Sequence, residues 1–203
     1  MRRPVIRPRL PAIETGSLFD PAPIPGFVYR ADYISAHEEA RLIAEIDRQS
    51  WSNELLRRQQ WYGWGYGDSL LQDAVYQPQP MPDWLLPSGQ RLCRDGYLGG
   101  VPDRVLINEY FPGQGIGAHK DRDSERIKSV AIISLGSGIT MDFTRFGYPT
   151  RSHYLQRRSL VVISGEARDL WMHGIVGRKT DRVGGLVLER SRRLSVTFRF
   201  VAG

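Results

Sequence analysis

The sequence predicts an α+β protein that is mainly β: a sandwich or jelly roll with helices near the N-terminus set against it. Helical periodicity is confined to the first half of the 203 residues. After residue 103 the pattern switches to short apolar or alternating runs, and glycine-containing turns such as Gly136-Ser137-Gly138 and Gly184-Gly185 separate several of them. Helices ahead of many short strands indicate a sheet core buttressed by helices.

Residues 1–26 form an arm with Pro4, Pro8, Pro11, Pro21, Pro23 and Pro25 among Arg2, Arg3, Arg7 and Arg9. That spacing of prolines cannot sustain a regular helix. Residues 27–203 read as one domain with no internal repeat. Residues 27–33 suggest a short strand. Ser35-Ala36-His37-Glu38 is a capping box, and Leu42, Ile43 and Ile46 mark the buried stripe of a helix running to about Ser50. His37 falls in its first turn, a surface position. A second helical stretch over 82–95 is interrupted around Pro87-Ser88-Gly89. Strands are expected at 104–110, 129–135, 139–144, 159–163, 170–172, 186–189 and 194–201.

A hydrophobic content of 41% and a charged content of 25% suit a soluble globular domain. No apolar run reaches the roughly 18 residues of a membrane span, and the N-terminus has no secretory apolar core. The single Cys93 excludes an intrachain disulfide and a cysteine-based zinc cluster, and fits a reducing cytoplasmic setting; a monomer is expected. The net charge of +6 favours an anionic partner such as nucleic acid, although small enzymes are often mildly basic. All but three of the 28 basic residues are arginine, the better phosphate fork.

The chemistry centres on residues 108–123, Asn-Glu-Tyr-Phe-Pro-Gly-Gln-Gly-Ile-Gly-Ala-His-Lys-Asp-Arg-Asp. In an extended segment residues i and i+2 share a face, so His119 and Asp121 can present an imidazole and a carboxylate to one point. A second imidazole would complete the 2-His-1-carboxylate set of non-haem Fe(II) oxygenases. Of the four histidines, His173, in the run Leu170-Trp171-Met172-His173-Gly174-Ile175, is the best candidate. His153, expected between strands, reads as a surface or second-sphere residue. On the last strand Arg193, Ser195, Thr197 and Arg199 share one face. Two inward arginines among Leu, Val and Phe would need an anion, such as the distal carboxylate of 2-oxoglutarate. The same alternation also fits the solvated face of an edge strand.

In combination these motifs resemble the AlkB family: Asn108-x-Tyr110-x-x-Gly113, His119-x-Asp121-x-Asp123, His173-Gly174-Ile175 and Arg193-x-Ser195-x-Thr197-x-Arg199, in that order. The resemblance covers nearly the whole folded chain. It implies a double-stranded β-helix (jelly roll) and dependence on Fe(II), 2-oxoglutarate and O2. It further implies His119, Asp121 and His173 as iron ligands, Asn108 and Tyr110 as hydrogen-bond partners of 2-oxoglutarate, Arg193 at its distal carboxylate and Arg199 near its iron-bound end. Ser195 stands where founding members carry Asn. Asp123 matches a residue that helps fix the flipped base in the repair enzymes, and reads equally as a solvated loop carboxylate.

A lid is expected at about 51–70, where Arg57-Arg58-Gln59-Gln60-Trp61-Tyr62-Gly63-Trp64-Gly65-Tyr66 places aromatics beside arginines and glycines. Base-flipping enzymes need such groups. Trp61 or Tyr62 is expected to stack on a base and Arg57 or Arg58 to meet a phosphate. The leading expectation is oxidative dealkylation of bases in DNA or RNA, releasing formaldehyde, succinate and CO2. The lid and the Ser134–Phe143 segment resemble more closely the branch that hydroxylates a modified wobble uridine in tRNA. A catalytically silent nucleic-acid-binding module on the same fold would require degraded metal ligands, and all three are intact.

Overall fold

A computed structural model describes residues 23–53, 55–63, 80–121 and 125–201. Most of the proline-rich arm, the lid from residue 64 onward and Asp123 lie outside the described residues.

Helix α1 (Ala36–Asp47) begins at the expected capping box: Ser35 Oγ accepts from the Glu38 amide at 3.1 Å, and Glu38 returns a carboxylate to the Ser35 amide at 2.7 Å. Two orphan donors of the first turn are thereby satisfied. Its Glu39, Leu42 and Ile46 face inward at helical spacing. Helix α2 spans Leu86–Arg94 without the expected interruption. Pro87 occupies its first turn, where a missing amide hydrogen costs nothing. Gly89 is buried against Pro102, which a β-carbon would approach to 2.6 Å.

Two sheets face each other. The larger runs in the order β1 (Phe27–Arg30), β8 (Leu160–Ser164), β5 (Ser129–Gly136), β12 (Arg193–Arg199), β3 (Arg104–Tyr110), β2 (Gln59–Gly63). The smaller runs β4 (Ile116–His119), β9 (Met172–Ile175), β6 (Ile139–Thr144), β7 (Arg151–Leu155), and β10 (Thr180–Val183) with β11 (Leu186–Glu189) forms a separate hairpin. All named pairings are antiparallel.

Strand alternation divides the larger sheet between two cores. Val105, Ile107, Ile133, Leu135, Leu194, Val196 and Phe198 face the helices and pack with Leu42, Ile46, Leu85 and Leu92. Tyr110, Val130, Ile132, Val161 and Ile163 face the smaller sheet and meet Ile139, Met141, Phe143 and Ile175. The site lies in this second space. Strand β12 sits between β5 and β3 with all seven residues buried, so its arginines do not occupy a solvated edge.

Several elements differ from the sequence expectation. Strands β2, β4, β7 and β10 and the short helix α3 (Gly165–Asp169) are additional. His153 lies within β7, half-buried and stacked 4.3 Å from Phe27. Burial and the nearby Arg151 push its imidazole below the usual pKa. Ion pairs bind the layers: buried Glu39 accepts from Arg157 at 2.6 Å and from the Gly136 amide at 2.9 Å, tying α1 to the end of β5.

Gly63 closes β2 with φ +86°, and a β-carbon there would lie 1.8 Å from the Asp103 carbonyl oxygen. Gly113 has φ +92° but open space around it. Gly63→Ala is expected to cost about 3 kcal/mol, from strain plus forced separation of β2 and β3, whereas Gly113→Ala costs only the left-handed strain of ~1–2 kcal/mol. Urea unfolding of the two variants checks this. Equal losses would mean that the close approach does not matter.

Candidate active site

The site is assembled by register. In the β4–β9 pair His119 lies directly opposite His173, their ring centroids 4.5 Å apart. Asp121 follows two residues beyond His119 on the same path. One ligand atom from each of the three residues lies within 4.8 Å of the others, the spacing of donors around a single ion. His173 Nε2 stands 3.7 Å from Asp121 Oδ2. His119 Nδ1 is 2.9 Å from the Gly117 carbonyl oxygen. A carbonyl only accepts, so the ring proton sits on Nδ1 and the Nε2 lone pair is left for a metal.

The carboxylate is held with the same economy. Arg199, from the far end of β12, donates Nη2 to Asp121 Oδ1 at 2.7 Å, while Oδ2 is buried with no hydrogen-bond partner among the described residues. Burial alone would raise the Asp121 pKa, but the charge of Arg199, the neighbouring histidines and the Arg199 hydrogen bond outweigh it and hold the group at about 2. Burial pushes His173 down to about 4 against the opposing pull of Asp121. The set at neutral pH is therefore one ionised carboxylate and a neutral imidazole at 173, with a buried acceptor oxygen awaiting a cation. These donors fit a divalent iron.

The second half of the site lies on β3, β12 and β5. Asn108, Ser195 and Ser134 form one transverse row, and Tyr110, Arg193 and Gly136 form the next. Arg193 is 1% exposed. Its Nη2 donates to Ser134 Oγ at 3.0 Å, its Nε and Nη1 have no partner among the described residues, and its guanidinium stands 5.5 Å over the Tyr110 ring. No carboxylate among the described residues pairs with it. Burial lowers its pKa to about 10 in spite of Tyr110. A buried cation without an anion costs several kcal/mol, so this position suits an anionic guest that brings its own carboxylate. Burial also raises the Tyr110 hydroxyl, which stays protonated and able to donate.

The lid residues separate by alternation. Arg57 Nε donates to Asn108 Oδ1 at 3.2 Å, and Gln59 Nε2 donates to the same oxygen at 2.7 Å. Trp61, half-buried, shares their face of β2. Arg58 and Tyr62 point the other way. Arg58 forks the fully buried Glu109 at 2.5 and 3.0 Å and stacks 4.9 Å from the Trp51 ring. Tyr62 is 5% exposed, with its hydroxyl on Gln60 and its ring edge-on to Trp84 at 5.7 Å. Of the expected stacking and phosphate contacts, Trp61 and Arg57 face the site, whereas Tyr62 and Arg58 are spent on the helix layer. Asp123 lies outside the described residues. Sequence reasoning missed Ser134, Gln59 and Arg168. Ser134 had a visible signal, as a lone polar position in Val130–Leu135. Arg168, buried on α3 with its charge felt at His173, had none.

A three-donor metal centre beside a buried, carboxylate-seeking guanidinium defines the class: a non-haem iron oxygenase that takes an acidic cosubstrate. Comparison with known proteins agrees. The family model of the 2OG-Fe(II) oxygenase superfamily matches residues 26–199, and the chain belongs to that superfamily, within its AlkB family. Enzymes of this family use Fe(II), 2-oxoglutarate and O2. An uncharacterized protein, L905, of Acanthamoeba polyphaga mimivirus is 33% identical over 87% of this chain and 85% of its own length. The Danio rerio protein called probable RNA/DNA demethylase ALKBH6 is 30% identical over 87% of this chain and 86% of its own. The tRNA (carboxymethyluridine(34)-5-O)-methyltransferase ALKBH8 of Mus musculus is 34% identical over 87% of this chain, which spans only 30% of that longer protein. Among solved structures OsALKBH1 superposes with a TM-score of 0.62 at 20% identity, covering 87% of this chain and 98% of that one, a likeness of fold.

Arg193→Ala removes the buried cation expected to meet the distal carboxylate and should weaken 2-oxoglutarate binding by roughly 30-fold or more. His173→Ala should abolish the visible band of the anaerobic Fe(II)–2-oxoglutarate chelate. Titration of each variant under nitrogen checks both. A band that survives at His173→Ala would remove that residue from the ligand set.

Proposed function

We propose that this oxygenase oxidises alkylated bases carried by a nucleic acid strand, with loss of the alkyl group as its outcome. The observation that carries the reading is the position of Trp61. It stands on the site-facing side of the lid strand, one alternation beyond Gln59, where an apolar ring can stack on an extruded base. The net charge of +6, nearly all of its positive part arginine, suits a phosphate backbone. Relatives named as an RNA/DNA demethylase and as AlkB dioxygenases support the same direction.

Bound iron and 2-oxoglutarate supply the oxidising power of O2, coupled to decarboxylation of the cosubstrate to succinate and CO2. The chain's own residues prepare for this. His119 and His173 offer imidazole nitrogens, Asp121 is held ionised by Arg199, and Arg193 with Ser134 anchors the tail of the cosubstrate. One oxygen atom enters the substrate C–H bond. On a methyl attached to a base nitrogen, the resulting hydroxymethyl group leaves as formaldehyde: the C–N bond breaks with its electron pair returning to the ring nitrogen, and the hydroxyl proton passes to solvent.

A second reading, hydroxylation of a modified wobble uridine in tRNA, is favoured by the similarity to the oxygenase part of ALKBH8. Nucleoside mass spectrometry separates the two. The protein is incubated with Fe(II), 2-oxoglutarate and ascorbate, in one tube with a 1-methyladenine/3-methylcytosine oligonucleotide and in another with bulk tRNA. Loss of methyl from the oligonucleotide is expected. A gain of one oxygen on a tRNA uridine, with the oligonucleotide untouched, would overturn the dealkylation proposal in favour of the second reading.

A further inference from the structure

We propose that Arg57 is a positioning residue for the cosubstrate: it fixes the polarity of the Gln59–Asn108 amide pair, so that Asn108 presents its NH2 group to the 2-oxoglutarate site. The inference rests on the family's use of 2-oxoglutarate and is independent of the nucleic acid substrate proposed above.

Gln59 and Asn108 are direct register partners across β2 and β3, and both side chains are buried. Two facing amides can share one hydrogen bond in either sense, with Gln59 donating to the Asn108 oxygen or Gln59 accepting from the Asn108 nitrogen. Nothing within the pair chooses between these. The guanidinium of Arg57 does. It has donors only, and its Nε–H points at the same Asn108 atom, 3.2 Å away. That atom must be oxygen, because the flipped amide would set two N–H groups against each other. With Oδ1 taken by both Arg57 and Gln59, the hydrogen-bonding capacity left to Asn108 is its pair of Nδ2 hydrogens. These belong to the row shared with Ser195 and Ser134, next to Tyr110 and Arg193. A carboxylate guest requires donors there. In the opposite orientation the amide oxygen would repel it.

Arg57 thus has a task different from the phosphate contact expected from its lid position. The lid strand and the cosubstrate site share one hydrogen-bonded oxygen, so order in the segment leading into β2 and affinity for 2-oxoglutarate are linked.

The test measures the 2-oxoglutarate dissociation constant anaerobically with Mn(II) by isothermal titration, together with the kcat and KM split. Arg57→Ala should raise the dissociation constant and KM for 2-oxoglutarate about tenfold or more, the worth of a hydrogen bond to a charged group, with kcat largely kept at saturation. Arg57→Lys, which still has donors only, should recover most of the affinity. Arg57→Gln, which can satisfy either orientation, should not. Gln59→Glu supplies an independent probe. Its acceptor-only carboxylate would draw the Asn108 NH2 away from the site and weaken 2-oxoglutarate as Arg57→Ala does, which keeps the test open if an Arg57 variant fails to fold. Unchanged 2-oxoglutarate affinity in Arg57→Ala or Gln59→Glu would overturn the proposal. So would equal weakening in Arg57→Ala and Arg57→Lys. Loss of affinity for a fluorescein-labelled oligonucleotide, with 2-oxoglutarate binding intact, would instead return Arg57 to phosphate recognition.

Discussion

Everything in this molecule is arranged around two guanidinium groups on a strand that has no solvent on either side. Strand β12 is central in the larger sheet, and Arg193 and Arg199 stand on its inner face, 1% and 5% exposed. Taking two cations out of water is tolerable only if each meets an anion, since a buried charge left without one costs several kcal/mol. The two solve this differently. Arg199 meets Asp121, a residue of the chain itself, and by doing so fixes one carboxylate oxygen and leaves the other for a metal. Arg193 finds a serine hydroxyl and an aromatic face but no carboxylate among the described residues. Its anion has to be brought in. The fold thus stores a demand for a carboxylic acid in its own core.

Alternation along the strands distributes the work. On β3 the odd positions Val105 and Ile107 pack beneath α1 and α2, while Asn108 and Tyr110 open onto the site. Glu109, on the helix side, collects Arg58 and Arg192, and Arg192 continues to Asp47 at the end of α1. This ion cluster locks the strand from behind, so the side chains on its front are held by a backbone with little freedom to shift. Glu39 does the same at the end of β5. Among the described residues, α1 and α2 contribute no group to the metal donors or to the row of Asn108, Ser195 and Ser134; they stiffen the sheet that carries that row.

Much of this was legible in the sequence, and the limits have physical reasons. Arg193, Ser195, Thr197 and Arg199 could be read as one face because the residues between them are apolar and unambiguous. His119-x-Asp121 stood out by residue type, an imidazole and a carboxylate two apart in an extended segment. Strand β4 itself did not, since Gly117 and Ala118 are poor strand formers beside a single branched residue, Ile116, and its pairing is irregular. Strand β7 was hidden by the polar run Arg151, Ser152 and His153, of which His153 is half-buried against Phe27 from a distant part of the chain. Pro87 was read as a break because a proline's tolerance in a first turn depends on where that turn begins. The lid reading erred by treating 57–62 as a cluster. Taken two by two, Arg57, Gln59 and Trp61 belong to one face and Arg58, Gln60 and Tyr62 to the other, a division that needs only the knowledge that the segment is extended.

Strand β4 has four residues, one neighbour, and a register irregularity between Ile116 and His119. An edge so short holds few ladder bonds, and such segments open locally at low cost. Yet it carries His119, with Asp121 two residues on, while His173 stands on the strand beside it. An ion shared by these donors is therefore a clasp between the edge and the body of the sheet. Its binding energy adds to the closure of β4, about 2.7 kcal/mol at a hundredfold excess over the dissociation constant. Starved of metal, this edge would exchange its amide hydrogens quickly and offer a bare strand to proteases or to other chains. Iron supply would then bear on the lifetime of the protein as well as on its turnover.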